Sequence, residues 1–226
     1  MHVDVAFTPD ETVSASIGVV VDVLRLTSTI AQALSAGYER VLCCAEIDEA
    51  RALRRETPDS LLGGEREAVR IEGFDVGASP REFLEARAST LILSTTNGTR
   101  AVLAAASRCD KVVLASLLNL GAVTAWLRAC DADVAILCAG FKGAFALDDA
   151  YCAGRIVQEL DADGGDGAIA AALVARAFPD ATAGLNARTY GPPGLEEDIA
   201  FCARESVLDV LPRFVSMRGA AAEIRR

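Results

Sequence analysis

Five stretches of this sequence combine residue types that can hold anions and hard cations. In VVVDVLRLTST (19–29), Asp22 closes a strongly apolar run, and Arg25 and Ser28 follow it. An unpaired carboxylate is expensive in such surroundings. Asp22 therefore reads as a Mg²⁺ ligand or reacting carboxylate with Arg25 as an anion clamp, or as the partner of Arg25 and backbone N–H groups. Ser28 reads as a substrate hydroxyl or as the N-cap of the following helix. GGER (63–66) sets Glu65 and Arg66 beside two glycines that let backbone approach a ligand. GFDVGASP (73–80) carries Asp75 and Ser79, and Pro80 suits a helix start that Ser79 could equally well cap.

STTNGTR (94–100) lies between an apolar run, TLIL, and an alanine-rich segment, AVLAAA. A strand that ends in small residues and feeds a helix presents free N–H groups and the positive end of a dipole to an anion. Thr95, Thr96 and Thr99 add hydroxyls, Asn97-Gly98 permits a tight turn, and Arg100 faces either the ligand or solvent. The pattern is neither a Walker loop nor G-x-G-x-x-G. It reads as an unconventional phosphate cradle, with an ordinary capped turn as the alternative. CAGFKGAFALDDA (138–150) ends in Asp148-Asp149. These acids are dipole partners at a helix start or, facing the same rim, part of a carboxylate group for a hard cation.

Absences narrow the chemistry. His2 is the single histidine and sits at an end expected to be mobile, which excludes histidine phosphatases, zinc esterases and Ser-His-Asp hydrolases. No cysteine is followed six positions later by arginine, and D-x-D fails because Leu24 stands in its third place. Carboxylates, arginines and threonines remain, and they suit Mg²⁺-assisted phosphoryl transfer to water. The candidate catalytic residues are Asp22, Arg25 and Glu65, with Cys138 a minor alternative nucleophile. Substrate contacts are expected from Arg25, Ser28, Arg66, Ser79, Thr95, Thr96, Asn97, Gly98, Thr99 and Arg100. Metal ligands are expected among Asp22, Glu65, Asp75 and Asp149.

The elements that must position these groups are legible as apolar, β-branched runs: 17–23, 40–45, 60–65, 90–95, 111–116 and 133–139. Helical segments at 28–37, 47–57 and 119–130 separate most of them, and the first ends in a C-cap glycine. Near-continuous apolar strands alternating with helices predict a three-layer α/β/α fold with a largely parallel or mixed sheet. Ligands then gather at the carboxyl ends of the strands. The C-terminal portion reads as helix-rich (147–161, 167–178, 195–205), with a last strand in 207–215 and a frayed tail from Ser216. The chain reads as a single unit, with DADGGDG (161–167) the place where two lobes would part.

A net charge of −10 argues against nucleic acid and anionic membrane as partners. The N-terminus lacks a signal-peptide pattern, and no apolar run approaches the roughly 18 residues of a membrane span. Seven cysteines without C-x-x-C spacing point to a reduced, cytoplasmic setting. A small anionic phosphorylated substrate is the expected partner, and a homo-oligomer stays open.

At these motifs the sequence resembles the 2-phosphosulfolactate phosphatase family, from about Ile17 to Arg213. VVVDVLRLTSTI, GGER, GFDVGASP, STTNGTRA, LCAGFKG with its acidic pair, and DIAFCA (198–203) before Pro212 carry the likeness. Leu26-Thr27, Ala78 and Asp148 stand where the family pattern favours Ala-Ser, Asn and Glu. The resemblance implies a Mg²⁺-dependent hydrolase that takes (R)-2-phospho-3-sulfolactate to (R)-3-sulfolactate and phosphate, a step toward coenzyme M. Such a substrate carries about four negative charges, which Arg25, Arg66, Arg100, Lys142 and a divalent ion would balance. The alternatives are a phosphatase of a related anionic 2-hydroxy acid phosphate, a phosphotransferase with another acceptor, and a non-catalytic phosphoanion-binding regulator.

Overall fold

Burial on both faces of one strand explains most of the architecture. In β2 (Ile17–Val21), Val19 and Val21 face one side and Val20 the other, and all three are completely buried. Strands covered twice have no solvent face to mark with polar residues, so their sequences run apolar. The computed structural model describes residues 1–66, 68–95, 97–189 and 195–226.

Among the described residues, 11 strands form one mixed sheet. On one side, β3 (Arg40–Cys44), β4 (Ser60–Arg66) and β6 (Thr90–Ser94) are parallel, with β5 (Val69–Arg70) turned back on β4. On the other, β1 (His2–Ala6), β2, β7 (Lys111–Ala115), β8 (Val134–Cys138) and β9 (Asp163–Gly164) are all parallel. The hairpin of β10 (Arg213–Arg218) and β11 (Ala221–Arg225) joins the two blocks. Three antiparallel ladders separate β3 from β7, so the blocks run in opposite senses. The single parallel rim expected from sequence is replaced by the meeting of strand ends from two oppositely directed blocks.

Helices α1 (Leu26–Ser35) and α3 (Gly98–Ala106) cover one face, and their core includes Val20 and Leu91 from the two blocks and Ala222 from the hairpin between them. On the opposite face, α2 (Ile47–Glu56) packs on the β3–β4–β6 block through Ala50 and Leu53. There α4 (Leu120–Cys130), α5 (Leu147–Leu160), α6 (Asp166–Arg176), α7 (Ala181–Asn186) and α8 (Glu196–Cys202) cover the other block. The three-layer α/β/α arrangement and the helix-rich C-terminal portion are therefore present. The glycine stop after α1 is present too: Gly37 takes φ +111°, and the Gly37 and Tyr38 N–H groups donate back to Leu34 and Ala33.

Both chain ends depart from expectation. His2 is not at a mobile end but opens β1, which pairs with β8 and β9. The tail from Ser216 is not frayed: Ala221, Ala222 and Ile224 are completely buried in β11 beside β3. The strand expected in 207–215 starts only at Arg213, as β10, and a further strand, β11, follows it. Position between two strands outweighs the weak β-propensity of AAEIR. The 161–167 segment contains edge strand β9 and the start of α6, and its Gly164, Gly165 and Gly167 sit against the Val3 backbone, the Asp4 side chain and the Val5 backbone. Among the described residues, no helix is long and apolar enough to cross a membrane.

Candidate active site

The chain leaving β2 is folded back on itself by Thr27, whose N–H and hydroxyl both donate to the Asp22 carbonyl at 2.9 Å. This turn aims the Asp22 side chain at the start of α1, where the Leu26 N–H donates to Oδ1 at 3.2 Å. Asp22 thus satisfies an orphan donor of that helix. Ser28 does not cap it: its hydroxyl donates to the Val23 carbonyl at 2.8 Å. The second oxygen, Oδ2, lies against Gly98 at the start of α3, so closely that a Cβ at position 98 would overlap it and the Leu26 side chain. The end of β2 and the turn after β6 therefore meet.

From β8, α5 brings two more buried acids. Asp149 accepts from the Val23 N–H through Oδ1 at 2.9 Å and from the Gly140 N–H through Oδ2 at 3.0 Å, stapling the ends of β2 and β8. Asp148 accepts from the Asp149 N–H at 3.1 Å. Burial is the main reason that the Asp22 carboxyl rises to about 7; the Leu26 N–H opposes it, Asp148 and Glu65 add to it, and Arg25 lowers it. Burial and the neighbouring Asp148 and Asp22 also push Asp149 well above the usual carboxylate range, against the Val23 and Gly140 N–H groups. Cys138 is fully buried, and its thiol is pushed up by burial and Asp149, which removes the thiolate that a nucleophile requires.

Glu65, next to last in β4, reaches this group through its field on Asp22 while its Oε2 accepts from the Ala68 N–H at 2.5 Å. Arg25 donates through Nη1 to Asp198 at 2.8 Å, a nearly buried pair. Thr95 and Thr99 are buried with hydroxyls that have no partner among the described residues. Asn97 accepts from the Lys142 N–H through Oδ1 at 3.3 Å, drawing the loop after β8 to the turn and leaving α3 without a side-chain cap. Thr96 lies outside the described residues.

Other expected contacts are engaged elsewhere. The Arg66 guanidinium donates to the carbonyls of Glu65, Ala45 and Ser94 and to the Ser94 hydroxyl, tying together the ends of β3, β4 and β6. Asp75 accepts from the Leu62 N–H at 2.8 Å and faces Arg54 of α2 at 3.3 Å. Ser79 caps the 3-10 turn Pro80–Phe83 and donates to Asp198 at 2.6 Å. Arg100 is exposed and pairs with Asp10 at 3.5 Å. Sequence reasoning missed Asp198 as a site residue. Its signal was an acid four residues before Cys202 and so on the same helix face, since a buried acid needs a partner.

Among the described residues, no three acidic, cysteine or histidine side chains form a ready-made metal cluster. Magnesium requires only one or two carboxylates, with waters and substrate oxygens completing its shell. The donors here are oxygens, and mutual repulsion among Asp22, Asp148, Asp149 and Glu65 is a cost that a cation relieves. In chemical type the residues fit a hard divalent ion.

A family model described as 2-phosphosulpholactate phosphatase matches residues 5–216, a span that includes every site residue above. Similar proteins carry the name probable 2-phosphosulfolactate phosphatase. One from Symbiobacterium thermophilum is 39% identical over 220 residues, covering 91% of this chain and 94% of the relative. One from a Synechococcus species is 39% identical over 227 residues, covering 92% and 93%. One from Thermotoga petrophila is 37% identical over 222 residues, covering 95% and 96%.

Proposed function

The chain belongs to the 2-phosphosulpholactate phosphatase family, and from that premise we propose that it is a Mg²⁺-dependent phosphatase acting on (R)-2-phospho-3-sulfolactate. Water attacks phosphorus, the ester P–O bond breaks, and (R)-3-sulfolactate and phosphate leave. The reading rests on the approach of Asp22 to the uncapped start of α3, which sets a carboxylate for a cation beside N–H groups for an anion. The unpartnered hydroxyls of Thr95 and Thr99 support it.

Asp22 and Asp149 would hold the Mg²⁺, which when bound neutralises phosphoryl charge and lowers the pKa of water. Arg25 and the first N–H groups of α3 orient the phosphoryl oxygens, which is where phosphoryl-transfer catalysis mainly lies. Glu65 has one oxygen on the Ala68 N–H, and the other has no partner among the described residues. It is the carboxylate assigned to accept the proton of the attacking water.

The test is phosphate release from synthetic phosphosulfolactate, with Mg²⁺ and then with EDTA, beside a panel of phosphorylated 2-hydroxy acids compared by kcat/KM. Mg²⁺-dependent release with phosphosulfolactate as the best substrate is expected. A better substrate in the panel replaces the ester named here, and metal-independent turnover overturns the mechanism. Binding without release favours a regulator.

A further inference from the structure

Asp198 is held from two sides. Its Oδ2 accepts from Arg25 Nη1 at 2.8 Å, and its Oδ1 accepts from the Ser79 hydroxyl at 2.6 Å, with Arg81 Nη1 at 3.8 Å from the same oxygen. Ser79 is fixed in turn, because its hydroxyl accepts from the Arg81 N–H while Glu82 accepts from the Ser79 and Gly77 N–H groups. The carboxylate is thus immobilised by a capped turn far away in sequence. Arg25 commits only Nη1 to it. Among the described residues, Nε and Nη2 have no protein acceptor, and neither is sealed from solvent.

We infer that Asp198 is a positioning residue for Arg25: it fixes one corner of the guanidinium so that the remaining N–H groups face the substrate's phosphoryl or acid oxygens. This rests on the phosphatase reading for what Arg25 contacts. A nearly buried ion pair contributes little net stability, since desolvation offsets attraction. Helix α8 is already anchored by Ile199 and Cys202 in the core. What the pair does supply is order in a side chain that would otherwise sample many rotamers. Ser79 then acts through Asp198 rather than on the substrate.

The test is a double-mutant cycle on the full chain: wild type, Arg25→Met, Asp198→Asn and the double variant, each with Mg²⁺ and phosphosulfolactate. Asp198→Asn is expected to lower kcat/KM roughly tenfold to a hundredfold, and to have no further effect in the Arg25→Met background. Equal loss in both backgrounds makes Asp198 merely structural, and wild-type rates in Asp198→Asn overturn the assignment. Arg25→Met leaves the Asp198 carboxylate with only the more distant Arg81 as a counter-charge; should it fail to fold, Ser79→Ala replaces it in the cycle. A several-fold loss in kcat/KM is then expected for Ser79→Ala, with no further loss when it is added to Asp198→Asn. Calorimetry of inorganic phosphate binding in the same proteins separates this assignment from the phosphatase reading. If wild type releases no phosphate yet binds it, equal weakening in both single variants and in the double still supports positioning. No phosphate binding by wild type overturns both.

Discussion

Gly98 sits so close to Asp22 that one methyl group on its Cα would overlap the carboxylate. Position 98 is the first residue of α3, and alanine is the better helix former, by about 0.8–1 kcal/mol in a helix interior. Propensity and packing therefore oppose each other at this position. Gly98→Ala is expected to lower the melting temperature and to reduce kcat/KM at least tenfold by displacing Asp22 or the α3 N-terminus. An unchanged melting curve with unchanged kinetics would show that the two elements do not touch.

Asp22 carries a stability penalty that depends on pH. Its carboxyl is raised from 3.8 to about 7, so the folded state holds a proton that the unfolded chain has released. Stability from this group is therefore lost as pH rises from about 4 to about 7 and is level above that. Asp22→Asn lacks the ionisation. It is expected to abolish phosphate release and to melt above wild type, by a margin that widens between pH 4 and pH 7. Melting scans in metal-free buffer at several pH values test this, and a margin that stays flat rules out the penalty.

The readable part of this molecule is the part that is buried on both faces. IGVVV and VAILC declare themselves as strands because each residue of β2 and β8 meets a core. HVDVA and AAEIR do not, since their charges and alanines suit many settings and only their places beside β8 and β3 make them strands. The same division applies to the site. An acid that ends an apolar strand announces its own cost, so Asp22 stood out. An acid in the first turn of a helix reads as a dipole partner, which hid the role of Asp198 beside Arg25. The direction of Arg100 depends on the loop bearing Asp10, and nothing local to 94–100 encodes it.

Magnesium binding should displace a proton. With Asp22 near 7, the ligand must ionise before it coordinates. Below pH 7, apparent Mg²⁺ affinity is expected to fall by up to about tenfold per pH unit for each proton displaced, and to level off above it. Calorimetry at pH 6 and pH 8, in two buffers of different ionisation enthalpy, counts the protons. Affinity independent of pH would remove Asp22 from the ligand set.

Thr99 separates fold from function most cleanly. Its side chain is completely buried, and its hydroxyl has no partner among the described residues. An unsatisfied buried hydroxyl costs about 1–3 kcal/mol, and the nearly isosteric Thr99→Val removes that cost while keeping the shape. If the hydroxyl belongs to the phosphate cradle, the variant should melt about 2–4 °C higher per kcal/mol gained while kcat/KM falls several-fold. A rise in stability with unchanged kinetics would make Thr99 a packing residue. A fall in stability would mean that its hydroxyl already has an acceptor. Opposite movement of the two quantities is the outcome that the proposed site requires.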